Sequence, residues 1–378
     1  MRIEQTLWTE SRESPADRST PVGDAAQLVV VFGAGEQLRN GRIAELRRRH
    51  PQARFIGCST AGEIHGTTVH DDSIVSTAVA FESTKVRTAC VGIAGPDDSR
   101  QAGRDLATKL LGDDLVHVFV LSDGTRVNGS ELVRGLGQIV PDPVRVTGGL
   151  SADGARFKET LVLADGVVET GVVAAVGFYG RRLRVGCGCL GGWDSFGADR
   201  LVTRSKGNVL YELDGRPALQ LYREYLGEQA AGLPATGLFY PLSLMLKDSD
   251  ARVVRTLLAI NEQDLSITFA GDIPQGSHAR LMKANFDRLV DGAVGAAEMG
   301  RDGLQGADPD LAILISCVGR KLVLRQRVEE EVEGVRDVLG PRALLTGFYS
   351  YGEISPFTPS ARCELHNQTM TITTFSER

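Results

Sequence analysis

Three stretches of this chain carry the same succession of apolar and polar positions. Leu28 to Phe32 is an unbroken apolar run; Ile43 and Leu46 follow three apart; Phe55-Ile56 then opens a second short run. Val116 to Leu121, then Leu132, Leu136 and Ile139, then Val144 and Val146 repeat the order. Leu311 to Ile315, then Val328, Val332, Val335 and Leu339, then Leu344-Leu345 repeat it again. Short apolar runs predict buried strands, and apolar positions three and four apart predict a helix face. Each unit therefore reads strand–helix–strand, long enough for a crossover between parallel strands.

All three units end in a loop with glycines five positions apart. These are Gly57-Cys-Ser-Thr-Ala-Gly-Glu-Ile64, Gly149-Leu-Ser-Ala-Asp-Gly154 and Gly347-Phe-Tyr-Ser-Tyr-Gly-Glu-Ile354. Ligands of parallel α/β sheets sit beyond the carboxyl ends of the strands, where all three loops lie. A longer repeat encloses the second and third units. Ser73 to Phe81 and Lys85 to Val91 precede one, Arg252 to Ile260 and Leu265 to Phe269 the other, each pair followed by a helical stripe. The short turns between paired runs predict antiparallel hairpins. The fold expected is α/β: two related domains of mixed β-sheets covered by helices, built from strand–strand–helix–strand–helix–strand units. Residues 1–25 read as a polar lead-in, 26–215 as the first domain and 216–378 as the second. Gly207, Gly215 and Pro217 mark a hinge candidate between them.

Composition narrows the class. At 378 residues and 42% hydrophobic, the chain has ample material for buried cores. No apolar run has the length of a membrane span. The polar first residues, such as Trp8-Thr9-Glu10-Ser11, lack the apolar centre of a signal peptide. Six cysteines in no paired framework fit a reducing cytoplasm. The net charge of −6 argues against nucleic acid as the main partner. Arg47-Arg48-Arg49-His50 is read as a solvated helix end.

Several chemistries fail on spacing. Glu63 and Ile64 stand where a phosphate-binding loop needs Lys and Ser/Thr. Ser59 and Ser151 have one residue too many for a nucleophile elbow, and no base is paired with them. A serine or cysteine hydrolase using Ser59 or Cys58 is therefore an unfavoured alternative. Cys187-Gly-Cys189 is explained by strand alternation rather than zinc. What remains is a set of loop residues facing one place: Ser59, Thr60 and Glu63; Ser122, Asp123 and Ser151; Ser316, Cys317 and Arg320; Tyr349, Ser350 and Glu353. A guanidinium among carboxylates suits a zwitterion such as an amino acid. The bland alternative is that these charges pair within the loops.

The stretches Phe55–Ile64, Val202–Ala218, Ser316–Arg320, Gly347–Ile354 and Leu365-His-Asn-Gln-Thr369 resemble the FIST family. The resemblance covers nearly the whole chain after residue 25. It implies a free-standing, cytoplasmic sensory protein that binds a small ligand and is not an enzyme. It also implies a signalling partner such as a histidine kinase or a diguanylate cyclase/phosphodiesterase. No nucleic acid and no membrane are expected, and a homodimer is compatible with it. Bacterial members that bind haem and respond to nitric oxide supply the runner-up. On that reading haem is the cofactor, with His65 and His366 as candidate iron ligands. The family carries no catalytic set to transfer.

Overall fold

The structure, a computed structural model, describes residues 1–10, 13–15, 19–245, 252–358 and 361–377. Each first apolar run pairs in parallel with the run beyond its helix. The pairs are Leu28–Gly33 with Arg54–Ser59, Leu115–Ser122 with Arg145–Leu150, and Leu311–Cys317 with Leu344–Ser350. The intervening helices Arg42–Arg49, Gly129–Gly137 and Val328–Leu339 bury the expected stripes, including Leu46, Leu136 and Val335. Two antiparallel strands complete each unit. Ile74–Ala80 and Arg2–Trp8 complete the first, Val172–Tyr179 and Lys85–Gly92 the second, and Met370–Glu377 and Leu183–Leu190 the third. The result is three mixed sheets with helices against them, an α/β fold.

After each glycine loop the chain leaves its own sheet and adds a short hairpin to another. Glu63–His65 joins Leu344–Ser350, Gly352–Pro356 joins Arg145–Leu150, and Val162–Ala164 joins Arg54–Ser59. The first unit thus serves the third, the third the second, and the second the first. This cyclic exchange covers the free edge of each parallel pair, which would otherwise offer unpaired backbone groups. The three units share one central core, to which Phe32, Phe119 and Phe348 contribute, with Phe32 stacked on Phe348 at 4.6 Å. Each such ring removed from water stabilises by about 1.5–3 kcal/mol.

Between Leu183–Leu190 and the helix Phe286–Asp302 lies a further antiparallel sheet of eight strands, with its own core around Val202, Tyr222 and Phe269. It begins at Asp194–Lys206 and ends at His278–Lys283, which pair with each other.

Three expectations are corrected. The runs 73–81 and 85–91 form no hairpin, because they belong to different sheets. Their link is held by the Glu377 carboxylate, which accepts from the backbone of Glu82, Ser83 and Thr84. By contrast, Leu257–Asn261 and Ser266–Phe269 do pair antiparallel. The lead-in contains a strand, since Arg2–Trp8 pairs along its length with Ile74–Ala80 and buries Leu7 and Trp8. Its polar neighbours conceal that pattern. Residues 11–12 and 16–18 lie outside the described residues. Finally, Gly207 to Pro217 is no open hinge: Val209–Leu213 is paired within the eight-stranded sheet, and Leu213 bonds across to Arg216. The chain passes between the three-unit body and this sheet at Gly191–Trp193 and Ala284–Asn285 instead.

Candidate functional site

The glycine loops do converge, in a register that the spacing alone misplaces by one residue. Gly57, Gly148 and Gly347 are the equivalent positions, opposite Val31, Val120 and Leu314. A Cβ at any of the three would strike the carbonyl oxygen of its partner. Close backbone approach therefore requires glycine there. Counting from these positions, three equivalent hydrogen bonds close a ring. Ala61 N–H donates to Tyr349 O at 2.8 Å, Ala152 N–H to Ser59 O at 2.8 Å, and Tyr351 N–H to Leu150 O at 3.2 Å.

The polar residues around this ring are all buried, and they are satisfied by one another. Thr60 donates to Glu63 Oε1, while Ser73 donates its N–H and its hydroxyl to Oε2 at 3.2 and 2.6 Å. The third loop repeats this: Ser350 donates to Glu353 Oε1 at 2.6 Å, and Thr369 donates its N–H and hydroxyl to Oε2 at 3.2 and 2.9 Å. Burial pushes Glu63 up to about 7 and Glu353 up to about 8, against the pull of those hydrogen bonds. In the second unit the carboxylate comes from Asp123. It takes Gly171 N–H at 2.7 Å, Thr160 Oγ1 at 2.8 Å, and the amides of Thr125 and Arg126 at 2.8 and 3.0 Å. Ser122 and Ser151 bond within the same loop, each reaching a backbone carbonyl at 2.9 Å.

Arg320 is fully buried and does not face the carboxylates of the loops. Its Nε and Nη2 reach Glu331 Oε2 at 3.0 and 2.7 Å, and its remaining donors hold the carbonyls of Gly191 and Leu289. Ser316 and Tyr349 complete Glu331 at 3.0 and 2.8 Å. The guanidinium and the two glutamates are thus consumed separately and form no common cradle for a zwitterion. Ser59 accepts from Leu161 N–H at 2.8 Å deep in the fold. Burial raises the Cys58 thiol well above its ordinary range and pushes Cys317 up to about 12, which keeps both protonated.

The two histidines expected to hold haem, His65 and His366, stand in different sheets. His366 is buried, with Nε2 held at 2.9 Å from the Ser355 carbonyl, and burial lowers its pKa to about 4. His65 lines a groove of about 330 Å³, among Gln5, Arg336 and loop backbone. Enclosed within the fold with its Nε2 engaged, His366 does not fit the group. Among the described residues no cluster of three His, Cys, Asp or Glu side chains could hold a metal ion.

Open space lies beside the second loop instead. A cleft of about 240 Å³ runs between Gly124, Thr125 and Val127–Gly129, the Phe157/Tyr351 pair, and Asn208, Leu258 and Phe269 of the eight-stranded sheet. It sits at the carboxyl end of the parallel strands, as such sites do. Phe157 and Tyr351 stack at 4.2 Å with their planes 11° apart. Phe157 stands at φ +53° and its side of the pair is 45% exposed. A bulky residue in left-handed backbone is strained and persists only where its surroundings hold it. Asp153 holds it there, taking Phe157 N–H at 2.8 Å and the Tyr351 hydroxyl.

None of the predicted residues lines the cleft; Ser151 and Asp123 reach it only through hydrogen bonds to the backbone of Gly124 and Thr125. Phe157, Tyr351, Thr125, Asn128 and Asn208 were not foreseen. One signal was present: Tyr351 occupies the place that alanine holds in the other two loops.

The comparisons with known proteins agree with this frame. The FIST N domain matches residues 27–216 and the FIST C domain residues 218–356, so the chain belongs to the FIST family of sensory signal-transduction domains. An uncharacterized protein of Methanocaldococcus jannaschii is 25% identical over 339 residues, covering 83% of this chain and 64% of that protein. The chain therefore spans less than two-thirds of that relative's length. A cyanuric acid hydrolase from A. caulinodans aligns with 78% of this chain and 99% of its own at 11% identity. Its TM-score is 0.20, too low to bear on fold or activity. No described helix is long and apolar enough to cross a membrane.

Proposed function

We propose that this protein is the ligand-binding input of a signalling pathway, and that its ligand occupies the cleft beside Phe157 and Tyr351. The observation that carries this reading is the strained, exposed Phe157 at the lip of a cleft whose walls come from two separately built parts. A ligand that touches both walls favours the arrangement in which they are close, and that difference in affinity is the signal a partner protein reads. Contacts between the parts already exist at this point: Asn128 Nδ2 donates to Asp272 at 3.1 Å, and Arg255 Nη1 to the Leu365 carbonyl at 3.0 Å. The family's sensory role supports the same reading.

A thermal-shift panel of small metabolites, amino acids included, tests it. A hit should raise the melting temperature of the wild-type chain and leave Phe157→Ala unmoved, while unliganded Phe157→Ala melts near the wild type. A hit that stabilises both proteins equally places the ligand elsewhere.

A further inference from the structure

The chemistry of the cleft narrows what it can hold; this step rests on reading the cleft as the sensory site. Among the described residues, no Asp, Glu, Lys, Arg or His side chain lines it. The backbone donors of its first loop are turned inward. Gly124 N–H goes to Thr160 Oγ1 at 2.9 Å, and the amides of Thr125 and Arg126 go to Asp123. Thr125 also gives its only hydroxyl proton to Asp123, at 3.0 Å, so toward the cleft it can only accept. Asn208 commits one amide proton to the Phe269 carbonyl at 2.8 Å and keeps its oxygen and its second amide proton for a ligand.

An anion here would meet only the second amide protons of Asn128 and Asn208, with the buried Asp123 carboxylate close by and no cation on the lining to offset its desolvation. A cation would also enter without a carboxylate on the lining. The remaining wall is flat and aromatic, which favours stacking. We infer that the cleft takes an uncharged planar ring that stacks on Phe157 and presents N–H donors to Thr125 and Asn208. This is the opposite of a zwitterion site.

Four probes of one shape separate these features: benzamide, methyl benzoate, benzoate and benzamidine, titrated into the full chain by ligand-observed NMR. Benzamide should bind roughly tenfold more tightly than either charged analogue, since an unpaired charge must be desolvated. Methyl benzoate, which has no N–H, should be weaker than benzamide. Phe157→Ala should weaken benzamide and Phe157→Tyr should retain it, which guards against a folding defect. Leu258→Trp, at a lip position 39% exposed, should fill the cleft and remove binding. A charged probe binding as well as benzamide, equal binding of methyl benzoate, or no benzamide binding overturns the inference. If what binds is still blocked by Leu258→Trp, the cleft stands as the site and only its ligand class is wrong. If binding survives Leu258→Trp, the cleft itself is not the site.

Discussion

The first and third glycine loops differ from the second in a way that separates architecture from function. Glu63 and Glu353 sit in near-identical nests of hydroxyl and amide donors and are fully enclosed. The second loop has Gly154 at the equivalent position. It takes its carboxylate from Asp123 and extends into the excursion that carries Asp153 and Phe157. What the first and third loops share is a closed structural lock. Where the second departs, a cleft opens. The most repeated motif in the chain thus marks what holds the fold together.

The largest effect expected on this contrast comes from the lock. Arg320→Met leaves Glu331 buried without its cation and should cost about 3–5 kcal/mol in denaturant unfolding. A loss below about 1 kcal/mol would mean that the pair is dispensable. Next comes pH. Glu63 and Glu353 have folded-state values of about 7 and about 8, above an ordinary 4.5. The folded state therefore holds protons that the unfolded state releases, and their stabilising contribution is complete below pH 4.5. It should fall as pH rises, through about 7 for Glu63 and about 8 for Glu353, and level off above. Glu353→Gln should flatten the upper part of that decline, and an unchanged stability profile would contradict the assignment. The smallest effect on stability belongs to the second loop. Phe157→Gly relieves a left-handed backbone while losing the stacked ring, so unfolding should change by no more than about 1 kcal/mol. A larger loss would make Phe157 a structural residue and weaken its role at the cleft.

Much of this architecture was legible in the order of residues. The three strand–helix–strand units, their stripes and the convergence of their loops follow from local periodicity, which reports which side chains face inward. The family resemblance was equally legible, because its motifs are the glycine loops themselves. The ligand assignment for Arg320 was not legible. Its partner Glu331 lies on the next helix, and only packing brings the two together. The register of the second loop was ambiguous because Gly148 and Gly149 are adjacent. The carbonyl of Val120 decides it.

The sequence by itself therefore determined most of the elements, the repetition of the strand–helix–strand units and the class of protein. Tertiary structure alone decided which sheet each hairpin joins, which charges are consumed and where space is left. Periodicity encodes whether a side chain is buried, since burial repeats with the local backbone. The identity of its neighbour depends on contacts more than a hundred positions apart, such as Tyr351 with Asp153 or Asn128 with Asp272. No local pattern records those, and the cleft is made of them.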